Sequence, residues 1–163
     1  MPDHLLRVPL TVRVAAVTDL PGLGWTGGPG HVAALTDALQ QTDLGHAALL
    51  VIGLPTGALV AVGGVDYRVG PVNDGSAGVL WMLDVHPAWQ SLGVGTLLVR
   101  ALEDRIRARG LGRARLGVEH DNPRAARLYR RLGYAEIGSA LDAWPAAEGQ
   151  SYVTVCAILE HRL

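Results

Sequence analysis

The apolar positions along the chain change period several times, and each change marks an element. Residues 11–17 read as a first strand. "TDLPGLGWTGGPG" (18–30) breaks all periodicity with glycine and proline and predicts a loop. From His31 to Gln41, Val32, Leu35 and Leu39 recur at helical spacing. Two strand-like runs at 47–53 and 58–68 flank Pro55-Thr56-Gly57, a hairpin pattern. A second turn, "GPVNDGSAG" (70–78), leads to "VLWMLDV" (79–85), a largely buried strand. Between Val94 and Arg109, Leu97, Leu98, Ala101, Leu102 and Ile106 repeat at helical spacing, and Gly110 supplies the stop. "RARLGVE" (113–119) is a strand. "DNPRAARLYRRLGY" (121–134) predicts a helix with Asp121 or Asn122 as cap, Pro123 in its first position and Gly133 as terminator. Strands near 134–139 and 151–159, separated by the loop "ALDAWPAAEGQ", end the series. The order β-α-βββ-α-β-α-ββ implies a mixed α/β fold: a mixed sheet with helices on its faces.

Composition narrows this picture. With 163 residues, 49% of them hydrophobic, the chain is expected to be one globular domain over 1–163. Residues 47–65 carry no charge and approach the length of a membrane span, but "PTG" at their centre favours the hairpin, so no membrane association is expected. The first 17 residues hold no uninterrupted apolar stretch of signal-peptide type. The single cysteine, Cys156, excludes an intramolecular disulfide and fits a reducing, cytoplasmic location. No metal site is expected.

Charge is unevenly placed. The net charge is −1, yet residues 100–131 hold ten of the fourteen basic residues, all arginine, against four acids, a local balance of +6. Most of these arginines read as a solvated helix face, but together they suit an anionic ligand. The stretch has only two aromatics, Tyr129 and Tyr134, so it offers no stacking platform for nucleic acid. An RNA-binding domain would instead show steeply salt-dependent affinity.

Residues 90–95, "QSLGVG", stand where a buried strand ends and a helix begins. Glycine costs a helix about 0.8–1.0 kcal/mol relative to alanine, so two of them there suggest that something approaches the backbone. The first amides of a helix lack intrahelical partners and carry partial positive charge. A phosphate or pyrophosphate fits such a site, and a tight turn explains the glycines equally well. The pattern is neither a P-loop nor a dinucleotide fingerprint. Gly22, Gly24 and Gly27 do satisfy G-x-G-x-x-G formally. However, "TDLP" separates them from the strand and Pro29-Gly30 breaks the join to the helix, so the match reads as coincidence.

Taken together, "LDVHPAWQSLGVG", the amphipathic helix, the strand after it and "DNPRAARLYRRLGY" resemble the GNAT family of N-acetyltransferases over nearly the whole chain. Gln90, Gly93 and Gly95 match that family's Q/R-x-x-G-x-G/A motif. Asn122, Ala126, Leu128, Tyr129, Gly133 and Tyr134 match its N-x-x-A-x-x-L-Y-x-x-x-G-F/Y signature. The resemblance implies the acyl-CoA N-acyltransferase fold and an acetyl-CoA-dependent transfer to the primary amine of a small molecule or peptide.

The same resemblance implies roles. Gln90, Ser91, Leu92, Gly93, Val94, Gly95 and Thr96 would cradle the pyrophosphate of acetyl-CoA. Leu83 and Val85 would hold its pantetheine arm through the strand backbone, with Asn122, Ala126 and Tyr129 contacting it from the second helix. Arg130 or Arg131 is a candidate for the adenosine 3′-phosphate, against a solvated helix face. The Val85 N–H would stabilise the developing oxyanion and Tyr129 would protonate the departing sulfur. The chain departs from the pattern at the base. Where many relatives carry a glutamate on the fourth strand, Trp81 and Val79 stand here, and the position used by ribosomal-protein alanine acetyltransferases is Gly117.

The remaining candidates for the base are Asp84, His86, Glu119, His120 or relayed water. Asp84 either faces the substrate cleft or is a paired structural carboxylate. The acceptor walls are expected from 18–46 and 139–150, where Trp25, Asp142, Trp144 and Glu148 would suit a cationic amine or are simply surface residues. The rival to an enzyme is a non-catalytic CoA-binding regulatory or interaction module. A homodimer is compatible with either.

Overall fold

The computed structural model describes residues 7–145 and 149–163. Its elements are β1 (Thr11–Val14), a 3-10 helix (Val17–Thr26), α1 (Pro29–Asp43), β2 (Ala47–Gly53), β3 (Leu59–Asp66), β4 (Gly78–Val85), a 3-10 turn (Pro87–Trp89), α2 (Val94–Ala108), β5 (Arg113–Glu119), α3 (Pro123–Arg131), β6 (Ala135–Pro145) and β7 (Ser151–Arg162). Seven strands form one sheet in the order β1-β2-β3-β4-β5-β7-β6. Every neighbouring pair is antiparallel except β4 and β5. The fold is mixed α/β, as the element order implied.

Two apolar layers sandwich the sheet. On β2, Leu49 and Val51 face one layer with Leu35 and Ala38 of α1, while Leu50 and Ile52 face the other with Leu98, Leu102 and Ile106 of α2. A strand buried on both faces has no polar alternation, and this is why 47–65 imitates a membrane span. No helix among the described residues is long and apolar enough to cross a membrane. The packing of α2 on β3 is close at Gly63. A Cβ there would stand 2.7 Å from Leu83 Cδ2 and 3.0 Å from Leu98 Cδ2, so glycine sets the distance between helix and sheet.

Several elements differ from the sequence expectation. The predicted 18–30 loop is largely a 3-10 helix, because Leu23 is buried and Asp19 ties its first turn down. Asp19 accepts two hydrogen bonds from Arg13 at 2.7 Å each and one from the Ala16 N–H at 2.8 Å. Gly22 and Gly24 lie inside that helix and β1 runs antiparallel to β2, so the formal dinucleotide pattern is indeed coincidental. In α2, Leu97 is exposed and Val94 and Val99 take its place in the core. The expected 139–150 loop is strand as far as Pro145, since pairs such as Leu141 with Val155 and Ala143 with Val153 carry the hairpin past the rest of the sheet. Asp142 is on this strand and exposed. The backbone of Trp144 is there too, while Glu148 lies outside the described residues.

One charged residue sits in the core. Glu103 of α2 is fully buried and receives hydrogen bonds from Arg100 (2.8 Å) and the Tyr134 hydroxyl (3.0 Å), with His161 Nδ1 at 3.1 Å. These partners join α2 to the segment between α3 and β6 and to β7, behind the ring of Tyr129.

Candidate active site

The parallel join of β4 to β5 is short. Gly78, Val79 and Leu80 pair with Ala114, Arg115 and Leu116, and no pairing continues beyond them among the described residues. β5 stays bound to β7 as far as Glu119. β4 turns away at Met82, whose φ of +52° coincides with a shift in its register against β3. Such a bulge adds twist and re-aims the strand. The two strands therefore part as a wedge, and its space, about 650 Å³, is closed by the start of α2 and one face of α3.

Backbone direction follows from the register. The His86 N–H donates to the Val60 carbonyl, and Asp84 opposes Val62, so Val85 opposes Ala61 as a non-bonded pair. The N–H and C=O of Val85 consequently point away from β3, toward the wedge. The carbonyl is taken by Gln90 Nε2 at 3.1 Å. Next to it, α2 begins at Gly93 (φ +86°), a left-handed conformation that glycine adopts without strain. No side chain caps this end, so its first amides remain available. Gly95 differs from Gly93. A Cβ there would be 3.4 Å from Leu128 and 3.8 Å from Val85, ordinary contacts at the wall of the cleft.

The expected residues are placed as follows. Leu83, Asp84, Val85, Gln90, Ser91, Gly93, Gly95, Thr96, Asn122 and Tyr129 all border the cleft. Leu92 is exposed, the Val94 side chain is in the core, and Ala125 borders the cleft instead of Ala126. Asn122 caps α3, its Oδ1 accepting from the Ala125 N–H at 3.1 Å. Of the two arginines singled out, Arg131 borders the cleft and Arg130 does not.

Sequence reasoning missed Arg124 and Arg127, which stood out only within the general basic stretch. Arg124 spans the mouth, donating to Gln90 Oε1 at 2.9 Å and Ser91 Oγ at 2.7 Å. Their position one helical turn apart, at the start of the helix after Asn122, was the available signal.

Tyr129 is buried, with its ring edge toward Tyr134 at 6.0 Å between centroids, and its hydroxyl makes no hydrogen bond among the described residues. Burial, with a contribution from the Asp84 charge, pushes its phenol up to about 12. It is therefore a proton carrier throughout the neutral range. Asp84 is partly buried, and desolvation raises its carboxyl above the ordinary range although His31 acts in the other direction. His31 Nε2 lies 3.4 Å from Asp84 Oδ2. On the same side, Trp25 packs edge-on against His86 at 5.2 Å. Of the two β4 positions where the resemblance implied a glutamate, Val79 pairs with Arg115 of β5 and Trp81 has its indole Nε1 buried beside Gly64. Glu119 stands at the far end of β5 beside Asp121, its carboxyl raised mainly by desolvation and then by that neighbour.

Known proteins resemble this chain in sequence and fold. The model of the Acetyltransferase (GNAT) family matches residues 24–134. A mycothiol acetyltransferase of Renibacterium salmoninarum is 27% identical over 135 residues, covering 83% of this chain and 39% of the relative. That of Beutenbergia cavernae is 38% identical over 66 residues, covering 40% and 22%. The chain thus spans less than half the length of these curated relatives. Among solved structures, the ribosomal-protein-S18-alanine N-acetyltransferase from Escherichia coli superposes with a TM-score of 0.72 at 19% identity, covering 94% of both chains. The spermidine N-acetyltransferase from Vibrio cholerae in complex with CoA and spermine does so at 0.67 and 20%, covering 94% of this chain and 95% of that one. At these identities the two structures speak for the fold, while the family model covers both glycines of "QSLGVG" and the Asn122-to-Tyr134 signature: the chain belongs to the Acetyltransferase (GNAT) family.

Proposed function

We propose that this chain is an acetyl-CoA-dependent N-acetyltransferase acting on the primary amine of a small molecule or peptide, in the cytoplasm. The observation that carries this reading is the wedge between β4 and β5, which opens onto the uncapped start of α2. A long ligand with a pyrophosphate near one end and amides in its middle fits that geometry. Amides at Gly93 to Thr96 suit the phosphates, the free side of β4 at Val85 suits the amide-bearing arm, and Arg127 and Arg131 suit further anionic charge.

Bound acetyl-CoA supplies a thioester whose acetyl group is transferred. The Val85 N–H stabilises the negative charge that grows on the thioester oxygen. Asp84 accepts a proton from the amine, freeing the lone pair that attacks. Tyr129 gives its hydroxyl proton to the leaving sulfur, and the second proton lost by nitrogen restores the phenol through water. Leu83, Gln90 and Asn122 shape the cleft around these groups.

Thiol release from acetyl-CoA across a panel of amines, peptides and aminoglycosides tests this. The reading predicts amine-dependent thiol release with at least one class. Tight CoA binding with no release on any amine would favour the non-catalytic module.

A further inference from the structure

We propose that His31, on α1, is a positioning residue for the reaction, orienting the Asp84 carboxylate and holding it ionised beneath the acceptor amine. This rests on Asp84 being the proton acceptor. The sequence supplies no glutamate on β4, and the structure shows what stands nearest to the one carboxylate of that strand. His31 Nε2 is 3.4 Å from Asp84 Oδ2 and is itself buried with no hydrogen-bond partner. Asp84 borders the cleft, whereas His31 lies behind it, on the face of the sheet packed by α1. The imidazole therefore acts through the carboxylate.

Local packing confines His31: Gly27 approaches its side chain so closely that a Cβ there would lie 2.9 Å from His31 Cβ and 3.1 Å from His31 Cγ. A misaligned catalytic contact that tightens when substrate binds is common in ligand-free sites. The groups facing Asp84 are His31 from α1 and Tyr129 from α3. His86 follows two residues along the chain, and Arg124, Arg127 and Arg131 border the same cleft from α3.

In the step concerned, an N–H bond of the acceptor ammonium breaks and its electron pair remains on nitrogen. An O–H bond forms on Asp84, and that proton passes to water. An N–H donated by His31 keeps the second carboxylate oxygen fixed, so the first presents its lone pair to the cleft.

Two readouts distinguish the His31–Asp84 pair from the proposed activity. Carboxyl-carbon NMR of Asp84 follows its titration without turnover. In His31→Ala the Asp84 midpoint should rise by roughly one pH unit, because an interaction that favours the charged form is lost. His31→Leu, which retains bulk, should do the same, and His31→Gln, which retains an N–H donor, should return the midpoint most of the way. Where an active amine is found, the acid limb of kcat/KM should move with the midpoint while KM for acetyl-CoA stays constant. An unmoved Asp84 midpoint in folded His31→Ala or His31→Leu overturns the proposal. A moved midpoint in a protein that transfers no acetyl group to any amine leaves the pair intact and instead overturns the enzymatic reading.

Discussion

In the proposed reaction Tyr129 and Asp84 would divide the proton chemistry, because burial acts on both in the same direction with different results. Desolvation raises both groups. For the phenol that secures the protonated form through the neutral range; for the carboxylate it raises proton affinity toward that of a useful base. Tyr129→Phe keeps the ring against Tyr134 and removes only the hydroxyl. It should lower kcat by about 10²–10⁴-fold, nearer the lower end because a thiolate leaves readily. KM for acetyl-CoA should change little; steady-state kinetics with both substrates varied checks this. A rise in KM alone would make Tyr129 a cofactor-positioning residue.

Asp84→Asn should have two opposed effects. A carboxyl whose folded pKa is raised above its unfolded value loses stability as pH climbs through that interval. At neutral pH the ionised group is thus a cost, and the amide should raise Tm while thiol release falls. In the same variant the acid limb of kcat/KM should vanish, and the rate should climb with pH toward an acceptor pKa near 10. Calorimetric Tm and the pH–rate profile read the two effects separately.

At the scale of elements, the sequence was most legible where local chemistry and packing agree. The strand at 113–119, the Asn122 cap, Pro123 and the run of α2 follow from capping, periodicity and stop signals. It was least legible between β1 and α1, where the 3-10 helix depends on long-range burial of Leu23 and on the Arg13–Asp19 pair rather than on period. Arg13 depresses the Asp19 carboxyl, its hydrogen bonds outweighing the desolvation that raises it. The stability this contributes is present above the unfolded pKa and is lost as pH falls through the lower folded one. Asp19→Ala should therefore cost about 1–3 kcal/mol at pH 7 and much less near pH 2; urea melts at the two pH values measure the difference. The far end of the β6–β7 hairpin is hard to read from sequence for a related reason. Gly, Pro and Ala there resemble a loop, and only the cross-strand register shows the strands running on.

Across the whole molecule, two motifs on consecutive helices made legible most of the residues that border the cleft. The side of the cleft toward α1 was not legible. His31 and Asp84 are far apart in sequence and meet only because the first turn of α1, which packs on β2, brings His31 within 3.4 Å of Asp84 at the end of β4. Glu103 likewise joins Tyr134 and His161 through contacts no spacing reveals, while its pair with Arg100 is an ordinary i,i+3 helix contact. Glu103→Ala removes the acceptor of all three and should destabilise the protein by about 3 kcal/mol, seen as a drop in the denaturant midpoint. Under the proposed function acetyl-CoA lies in the wedge with its pyrophosphate at the start of α2. Gly95 is the place to challenge it, since its Cβ would meet only ordinary contacts at the cleft wall, and a glutamate there suits the helix while thrusting charge among the amides. Calorimetric titration of acetyl-CoA into wild type and Gly95→Glu, with Tm checked for both, is the most direct measurement. Acetyl-CoA should bind saturably to wild type and not at all to a variant of undiminished Tm; equal affinity in the folded variant would place the cofactor elsewhere.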